Sequence, residues 1–491
     1  MPSGTSDTSV KEYDLIAIGS GSAMNIVQAM LNSKDKKRIA VIEKDEPRGI
    51  CLTRGCIPTK MLVYSAEMVR FIQDSEKFGI HAPIKKIDFQ KVMDRMRDHI
   101  KPDIEGINKG LSKSQELDFF PEETEFVAPY TLKVGNKRIK SNLILLCIGS
   151  EVAIPPVKGL DVIGYYTSDT ILDIKKMPDS LAIIGGGYIA AEYGHFFSAM
   201  GSKVTIIGRN PQFLPDEEPE VSRLAKEIMS KHMKIITNHE VMEAKSGMGK
   251  KLIAKDRDKG TSRTFSAQEI LVATGRAPNT GLLKPEKSGI EVDERGWIKV
   301  NRFLETTKPG IWAFGDAIGK HLFKHVANYE SQVVYFNAIL GKKVGVDYHA
   351  VPHAVFSHPE IAVVGMTQAQ AIEEFGEDSI GIGFQRYGDT AKGQAMGVEK
   401  GFVKVIVEAD TKSILGAHII GPQASVLIQE IINLMYTGDH SILPLTRAMH
   451  IHPALPEVVE RACMRLMPVK DHNHHMLHEL GGGHGGKRPQ N

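Results

Sequence analysis

Cys51 and Cys56 stand five positions apart in RGICLTRGCIPTK, residues 48–60, and are two of four cysteines in the chain. Such a pair can be a disulfide staple, half of a metal site or a redox couple. A staple is disfavoured in a chain of 491 residues with so few cysteines, because disulfide frameworks belong to small secreted domains with dense cysteine usage. A structural zinc site takes its ligands as close pairs, and no second cysteine pair follows; no residue is assigned to a metal. Redox chemistry is the leading reading. In a regular helix, residues five apart lie roughly 8 to 9 Å from each other, whereas a disulfide needs Cα atoms about 4.4 to 6.8 Å apart. The segment must therefore be compacted locally. Gly49 and Gly55 offer that freedom, and Pro58 suits the first turn of the helix that KMLVYSAEMVRFI continues. A helix N-terminus favours a thiolate beside it.

Composition bounds what surrounds this pair. At 42% hydrophobic the chain has enough apolar residues for two or three domains. Lys and Arg total 61 against 59 Asp and Glu, so no global field draws in nucleic acid or anionic membrane. The N-terminal residues MPSGTSDTSVKE are polar, and no apolar run reaches the roughly 20 residues of a spanning helix. A cytoplasmic protein acting on small molecules is expected, with neither nucleic acid nor membrane as partner.

Two βαβ units are legible as the scaffold. In YDLIAIGSGSAMNIVQAMLNSKDKKRIAVIEK, Gly19 permits the tight turn and Gly21 lets backbone approach a pyrophosphate at the following helix N-terminus. Glu43, ending the second strand, can accept ribose hydroxyls. Met24 stands where the motif usually has its third glycine. The second copy, SLAIIGGGYIAAEYGHFFSAMGSKVTIIGRN, places Gly185 and Gly187 in the turn and Ala190 at the third position. Two further strands close on Gly149 and Gly275. Two such units predict two dinucleotides.

With these motifs in place the chain resembles, over nearly all of residues 12 to 468, the flavin-dependent pyridine nucleotide-disulfide oxidoreductases, among them dihydrolipoamide dehydrogenase, glutathione reductase, mycothione reductase and mercuric reductase. The resemblance implies FAD on the first unit and NAD(P)H on the second. It carries Asp316 of TTKPGIWAFGDAIG onto the ribityl chain. It makes Cys56 the flavin-facing thiol and Cys51 the thiol that exchanges with substrate. Lys60 is similar to the lysine near the flavin, paired with Glu192, and Tyr188 to the aromatic gate over the nicotinamide pocket. The commonest family form of the cysteine segment is G-G-T-C-x-N-x-G-C; here Arg48, Ile50 and Thr53 replace its first glycine, threonine and asparagine. Arg54 adds a charge between the thiols, which either depresses a thiol pKa, greets an anionic substrate, or is simply solvated.

The implied fold is α/β: two Rossmann-like dinucleotide-binding domains plus a C-terminal α+β dimerisation domain. The FAD domain spans 1–150 and 280–346, the NAD(P) domain 151–279 and the interface domain 347–470. FVKVIVEAD and SILGAHIIG read as a hairpin, and Leu427, Ile428, Ile431, Leu434 and Met435 recur at helical spacing. In AMHIHPALPEVVERA, His452 fits the base that thiol-disulfide exchange requires, and Glu457 can hold its tautomer. The family sets this His-Glu dyad across a homodimer, facing the other subunit's cysteines. Cys147, in ILLCIGS, is expected on a buried strand, and it and Cys463 are expected to be inert. Residues 471–491, rich in His and Gly, read as disordered.

After the strand KVTII comes Gly208, not the carboxylate that bonds a ribose 2′-hydroxyl. Arg209 follows, which favours NADPH over NADH. The expected activity is electron transfer between NAD(P)H and a dithiol or disulfide, with dihydrolipoamide, free or on a carrier protein, as first choice. A low-molecular-weight disulfide is the runner-up. The tail lacks the vicinal cysteine pair of mercuric reductases, and a flavin-binding module without turnover is the alternative class.

Overall fold

The computed structural model describes residues 10–481. Strands Leu15–Ile18 and Ile39–Ile42 are buried along their whole length, because a parallel sheet is covered on both faces. They sit in a five-stranded parallel sheet ordered Ile311–Ala313, Ile144–Leu146, Leu15–Ile18, Ile39–Ile42, Leu117–Phe120. Its first strand comes from far along the chain, so residues beyond 300 complete the first unit. A second parallel sheet repeats the pattern as Tyr166–Thr167, Glu269–Val272, Ser180–Ile184, Lys203–Ile207, Lys234–Ile236.

The two units match closely in their first glycines. Gly19 has φ +93°, and a Cβ there would lie 2.1 Å from the Cys147 carbonyl oxygen; Gly185 has φ +130°, and a Cβ would lie 2.1 Å from the Ala273 carbonyl oxygen. Each turn is pressed against the end of the adjacent strand, which only glycine permits. Gly21 and Gly187 differ in kind, since nothing lies within 4 Å of a Cβ built at either. Gly185→Ala should therefore cost about 2 to 4 kcal/mol of stability. Gly187→Ala should change stability by less than about 0.5 kcal/mol while weakening nicotinamide nucleotide binding; chemical denaturation and nucleotide titration of both variants check the contrast.

The C-terminal part is a six-stranded antiparallel sheet ordered Pro352–Val355, Ile361–Gly365, Ile414–Ile420, Phe402–Glu408, Ile380–Arg386, Leu466–Pro468. The hairpin read from the sequence is its central pair. Helix Ala424–Met435 packs Leu427, Ile428 and Ile431 into its core with Val403, Val405 and Ile419.

The expectation of disorder from residue 471 fails over 471–481, where a helix runs Val469–Gly481. Val469 and His472 are each 1% exposed, and Met476 packs against the core, a spacing of three and four residues that makes one helical face. The His472 ring lies 5.4 Å from Phe384 and its Nε2 3.5 Å from Glu220. Histidine count masked this face, because composition reads the segment as polar. Residues 482–491 lie outside the described residues. Among the described residues no helix is long and apolar enough to cross a membrane.

Candidate active site

A cavity of about 950 Å³ opens where the first unit, the second unit and the C-terminal sheet meet. Its wall includes Gly19, Gly21, Glu43, Cys51, Cys56, Lys60, Gly149, Tyr188, Glu192 and Asp316. The tertiary fold thus gathers ten of the expected residues around one space.

The cysteine segment is two helical pieces, Ile50–Thr53 and Cys56–Gln73, broken at Arg54 and Gly55. Compaction explains both glycines. A Cβ on Gly55 would lie 2.9 Å from the Ile50 carbonyl oxygen, and one on Gly49, at φ +71°, would lie 3.1 Å from the Gly21 Cα. Gly49 thereby fastens the cysteine segment to the first nucleotide turn. Arg48, where the family has glycine, keeps the left-handed conformation at φ +87°, a strained choice for a residue that carries a Cβ. Both cysteines are free thiols. The Cys51 thiol donates a hydrogen bond to Cys56, and this bond above all lowers the Cys56 pKa to about 7 against the effect of burial. The same bond and burial raise Cys51. The pair therefore loses its first proton from Cys56, which begins the longer helix and gains from its N-terminal dipole.

Lys60 lies one turn further along that helix. Its Nζ donates to both Glu192 oxygens at 2.8 Å, and it sits 4.7 Å from the Phe356 ring centroid. Glu192 is buried and also accepts the Phe356 backbone N–H at 3.1 Å. One carboxylate so joins the cysteine helix, the second unit and the C-terminal sheet. Arg54 also lines the cavity, paired with Asp45 at 2.6 Å and Asp169 at 3.6 Å. Tyr188 starts helix Tyr188–Met200 with its ring 6.5 Å from Phe323, and burial pushes its phenol up to about 12.

The cavity residues fit FAD. The turn before helix Ala23–Leu31 leaves open space at Gly21, as a pyrophosphate needs. Glu43 is held at the wall by the Ser20 N–H and hydroxyl, at 2.9 and 2.8 Å. Asp316 accepts the Ser150 hydroxyl at 2.6 Å. Met24 is half-buried against the core of the first unit, so it does not obstruct the turn. Cys147 does not sit on a buried strand as expected: it follows strand Ile144–Leu146 and lines the cavity.

His452 and Glu457 do not line this cavity within one chain. His452 Nδ1 is 3.0 Å from Glu457 Oε1, with the His452 side chain 66% exposed and that of Glu457 7%. Glu457 also accepts the Ala454 N–H at 3.1 Å and Arg461 Nη2 at 3.0 Å, and the histidine bond holds its pKa below the usual carboxylate range. His450, two residues earlier, is instead tucked between Glu430 and Glu460. Gly185, Gly187, Arg209 and Gly275 also lie outside the cavity wall, on the second unit.

Sequence reasoning missed three groups. Arg276, beside Gly275, donates from Nε to the Ser150 hydroxyl at 2.5 Å, which links the strand-end glycine to Asp316. Phe356 holds Glu192, and no sequence signal marks it. Lys324 lines the cavity with both sulfurs, in a segment that shows no glycine motif.

Two nucleotide-binding units meeting at a paired-thiol cavity define a flavoprotein disulfide oxidoreductase. Residues 13–333 match the pyridine nucleotide-disulphide oxidoreductase family, and residues 351–463 match its dimerisation domain; the chain belongs to this family, which is FAD-dependent and uses a pyridine nucleotide. The dimerisation domain points to a homodimer. Mycothione reductase of Mycobacterium tuberculosis is 35% identical over 469 residues, covering 93% of this chain and 100% of that protein. Dihydrolipoyl dehydrogenase of Synechocystis sp. is 33% identical over 484 residues, covering 92% and 98%. The solved Cu(II) complex of the HOCl-induced flavoprotein disulfide reductase RclA from Escherichia coli superposes with a TM-score of 0.81 at 27% identity, covering 93% of this chain and 100% of that one.

Proposed function

We propose that the protein moves two electrons between NAD(P)H and a dithiol or disulfide of the dihydrolipoamide kind through Cys51 and Cys56. The observation that carries this is the placement of Cys51 and Cys56, the latter beginning a helix, on the wall of one cavity with the first nucleotide turn. FAD bound there supplies the relay between a reduced nicotinamide and the sulfurs. Gly21 and the helix behind it would take the pyrophosphate, Glu43 a ribose, and Asp316 the ribityl chain, with Gly149 leaving room at the strand end. Lys60, oriented by Glu192, would offer its ammonium to the bound flavin, and Tyr188 would cover the nicotinamide pocket. Gly185, Gly187 and Gly275 line the nicotinamide nucleotide's own turns.

In the reducing direction Cys51 attacks a substrate sulfur as thiolate: the Cys51–substrate bond forms, the substrate disulfide breaks, and His452, supplied by a second copy, protonates the departing sulfur. Cys56 then attacks Cys51, closing their disulfide and releasing the second substrate sulfur. Glu457 holds the imidazole tautomer and stabilises its protonated form. In the dihydrolipoamide direction the same steps reverse, with His452 removing the proton. A cytoplasmic setting, which keeps thiols reduced, belongs to this reading.

A second reading, NADPH-driven reduction of a low-molecular-weight disulfide, is favoured by Gly208 and Arg209. Strand Lys203–Ile207 ends just before them, and Arg257 donates to the Arg209 carbonyl at 3.2 Å, adding a second guanidinium. Arg209→Ala should weaken NADPH binding about 10- to 100-fold and NADH binding less than about twofold; equal losses would remove the argument. Steady-state assays with lipoamide, dihydrolipoamide and several small disulfides, each with NAD(H) and NADP(H), separate the readings. Turnover of none of them by the FAD-loaded protein refutes both.

A further inference from the structure

Four rings of the cavity wall, Tyr188, Phe323, His325 and His353, come from three parts of the chain. Phe323 stands just before helix Lys324–Val334, with its ring 6.5 Å from that of Tyr188. His353, on the first strand of the C-terminal sheet, lies 5.8 Å from Phe323 with its plane within 1° of parallel. His325 is also nearly parallel to Phe323, at 5.4 Å, and its Nε2 is 2.8 Å from the Pro352 carbonyl oxygen. His353 Nε2 is 2.8 Å from Glu217 Oε1. Glu217 is buried, and its Oε2 has no hydrogen-bond partner among the described residues, so this carboxylate depends on the imidazole. The loop that carries Glu217 is itself fastened. Leu214 donates its N–H to the Gly186 carbonyl oxygen at 2.8 Å, inside the second nucleotide turn, and Glu218 accepts from the buried Lys404 on strand Phe402–Glu408 at 2.8 Å.

We infer that His353, fixed by Glu217, is a positioning residue that backs the Tyr188 ring through Phe323 and so sets how closely the pocket holds a nicotinamide ring. The inference rests on Tyr188 covering that pocket. Rings at these separations attract one another and prefer defined mutual orientations, so Phe323 is restrained by His353 as well as by His325. The bond to a buried carboxylate selects one orientation of the His353 ring, which an unbonded imidazole would not keep. A nicotinamide must be held near its hydride acceptor, and a small displacement of the ring that covers it slows transfer. Cys51, Cys56 and His452 take no part in these contacts, so the effect falls on the nicotinamide step and not on thiol-disulfide exchange.

The test uses the FAD-loaded protein, with Kd for NAD⁺ and NADP⁺ from calorimetry and the rate of flavin reduction by NADH and NADPH from stopped flow. His353→Gln keeps a donor for Glu217 but removes the ring; for the nucleotide the protein prefers, it should raise Kd about 3- to 10-fold and slow flavin reduction by a similar factor. Glu217→Leu, which frees the ring, should act in the same way, whereas Glu217→Gln, which still accepts the bond, should stay within about threefold of the parent. The double variant His353→Phe with Glu217→Leu restores a ring without the polar pair, and both readouts should return to within about threefold. Iodoacetamide alkylation of the reduced thiols should stay within about twofold in every variant. Unchanged Kd and flavin reduction in His353→Gln, beside an impaired Tyr188→Ala, overturn the inference. So does a loss that extends to alkylation or to flavin content, which would make His353 a support of the whole fold. An unimpaired Tyr188→Ala would instead refute the reading of Tyr188 on which the inference stands.

Discussion

Cys56→Ser is expected to lower kcat/KM for any dithiol or disulfide substrate on the order of 10⁴-fold or more, because the residues of one nucleophilic unit fail together. Cys51→Ser should do the same by a different route. It removes the attacking sulfur but leaves Cys56; Cys51→Ala also takes away the hydrogen bond that most lowers the Cys56 pKa, which a serine hydroxyl can still donate. The Cys56 midpoint in Cys51→Ala should therefore rise from about 7 toward an ordinary thiol value. Above that midpoint Cys56 stays charged; below it the sulfur is protonated and unreactive. Cys463→Ala is the control. That thiol is 2% exposed in the core of the C-terminal sheet and pushed up to about 12 by burial, so the variant should keep activity within about twofold. Retained turnover in either serine variant would end the redox reading; steady-state kinetics and flavin content measured together check it.

His452→Ala is expected to cost about 10²- to 10⁴-fold in the same assay, the usual share of a positioned general acid or base. Within one chain His452 is 66% exposed beside its buried carboxylate and absent from the cavity wall. A purely intrachain enzyme would have no use for it there. Co-expression of Cys56→Ser chains with His452→Ala chains supplies the decisive arm. If the dyad serves the other subunit, each mixed dimer carries one intact site and one doubly broken site, and about half the parental activity per mixed dimer returns. If the dyad served its own chain, every site would lack one partner and none would return. Glu457→Gln should cost less than His452→Ala, since Ala454 and Arg461 still hold the side chain and the imidazole remains.

Nearby features limit the alternatives for the cysteine segment. Arg54, equally readable as a substrate-greeting charge or a solvated side chain, is engaged by Asp45 and Asp169. Two carboxylate partners offset part of the charge that this cavity-lining arginine would offer an anion. The lysine that acts on Cys56 is Lys60, one turn along the same helix.

Local sequence determined the parts whose physics is local. Glycines 19 and 185 were legible because a turn pressed onto a neighbouring strand admits no Cβ. Parallel strands were legible because burial on both faces demands continuous apolar runs. The thiol pair was legible because its spacing and flanking glycines allow a compact segment before a helix N-terminus. Tertiary structure decided the rest. Lys60 meets Glu192 across 132 positions, and Lys324 reaches Ser22 across 302. The helix Val469–Gly481 forms where composition predicts none, since its buried face needs Phe384 and Glu220 from other segments. Contacts between distant segments leave no periodic trace in either one, because each side chain is selected by a neighbour that only folding provides.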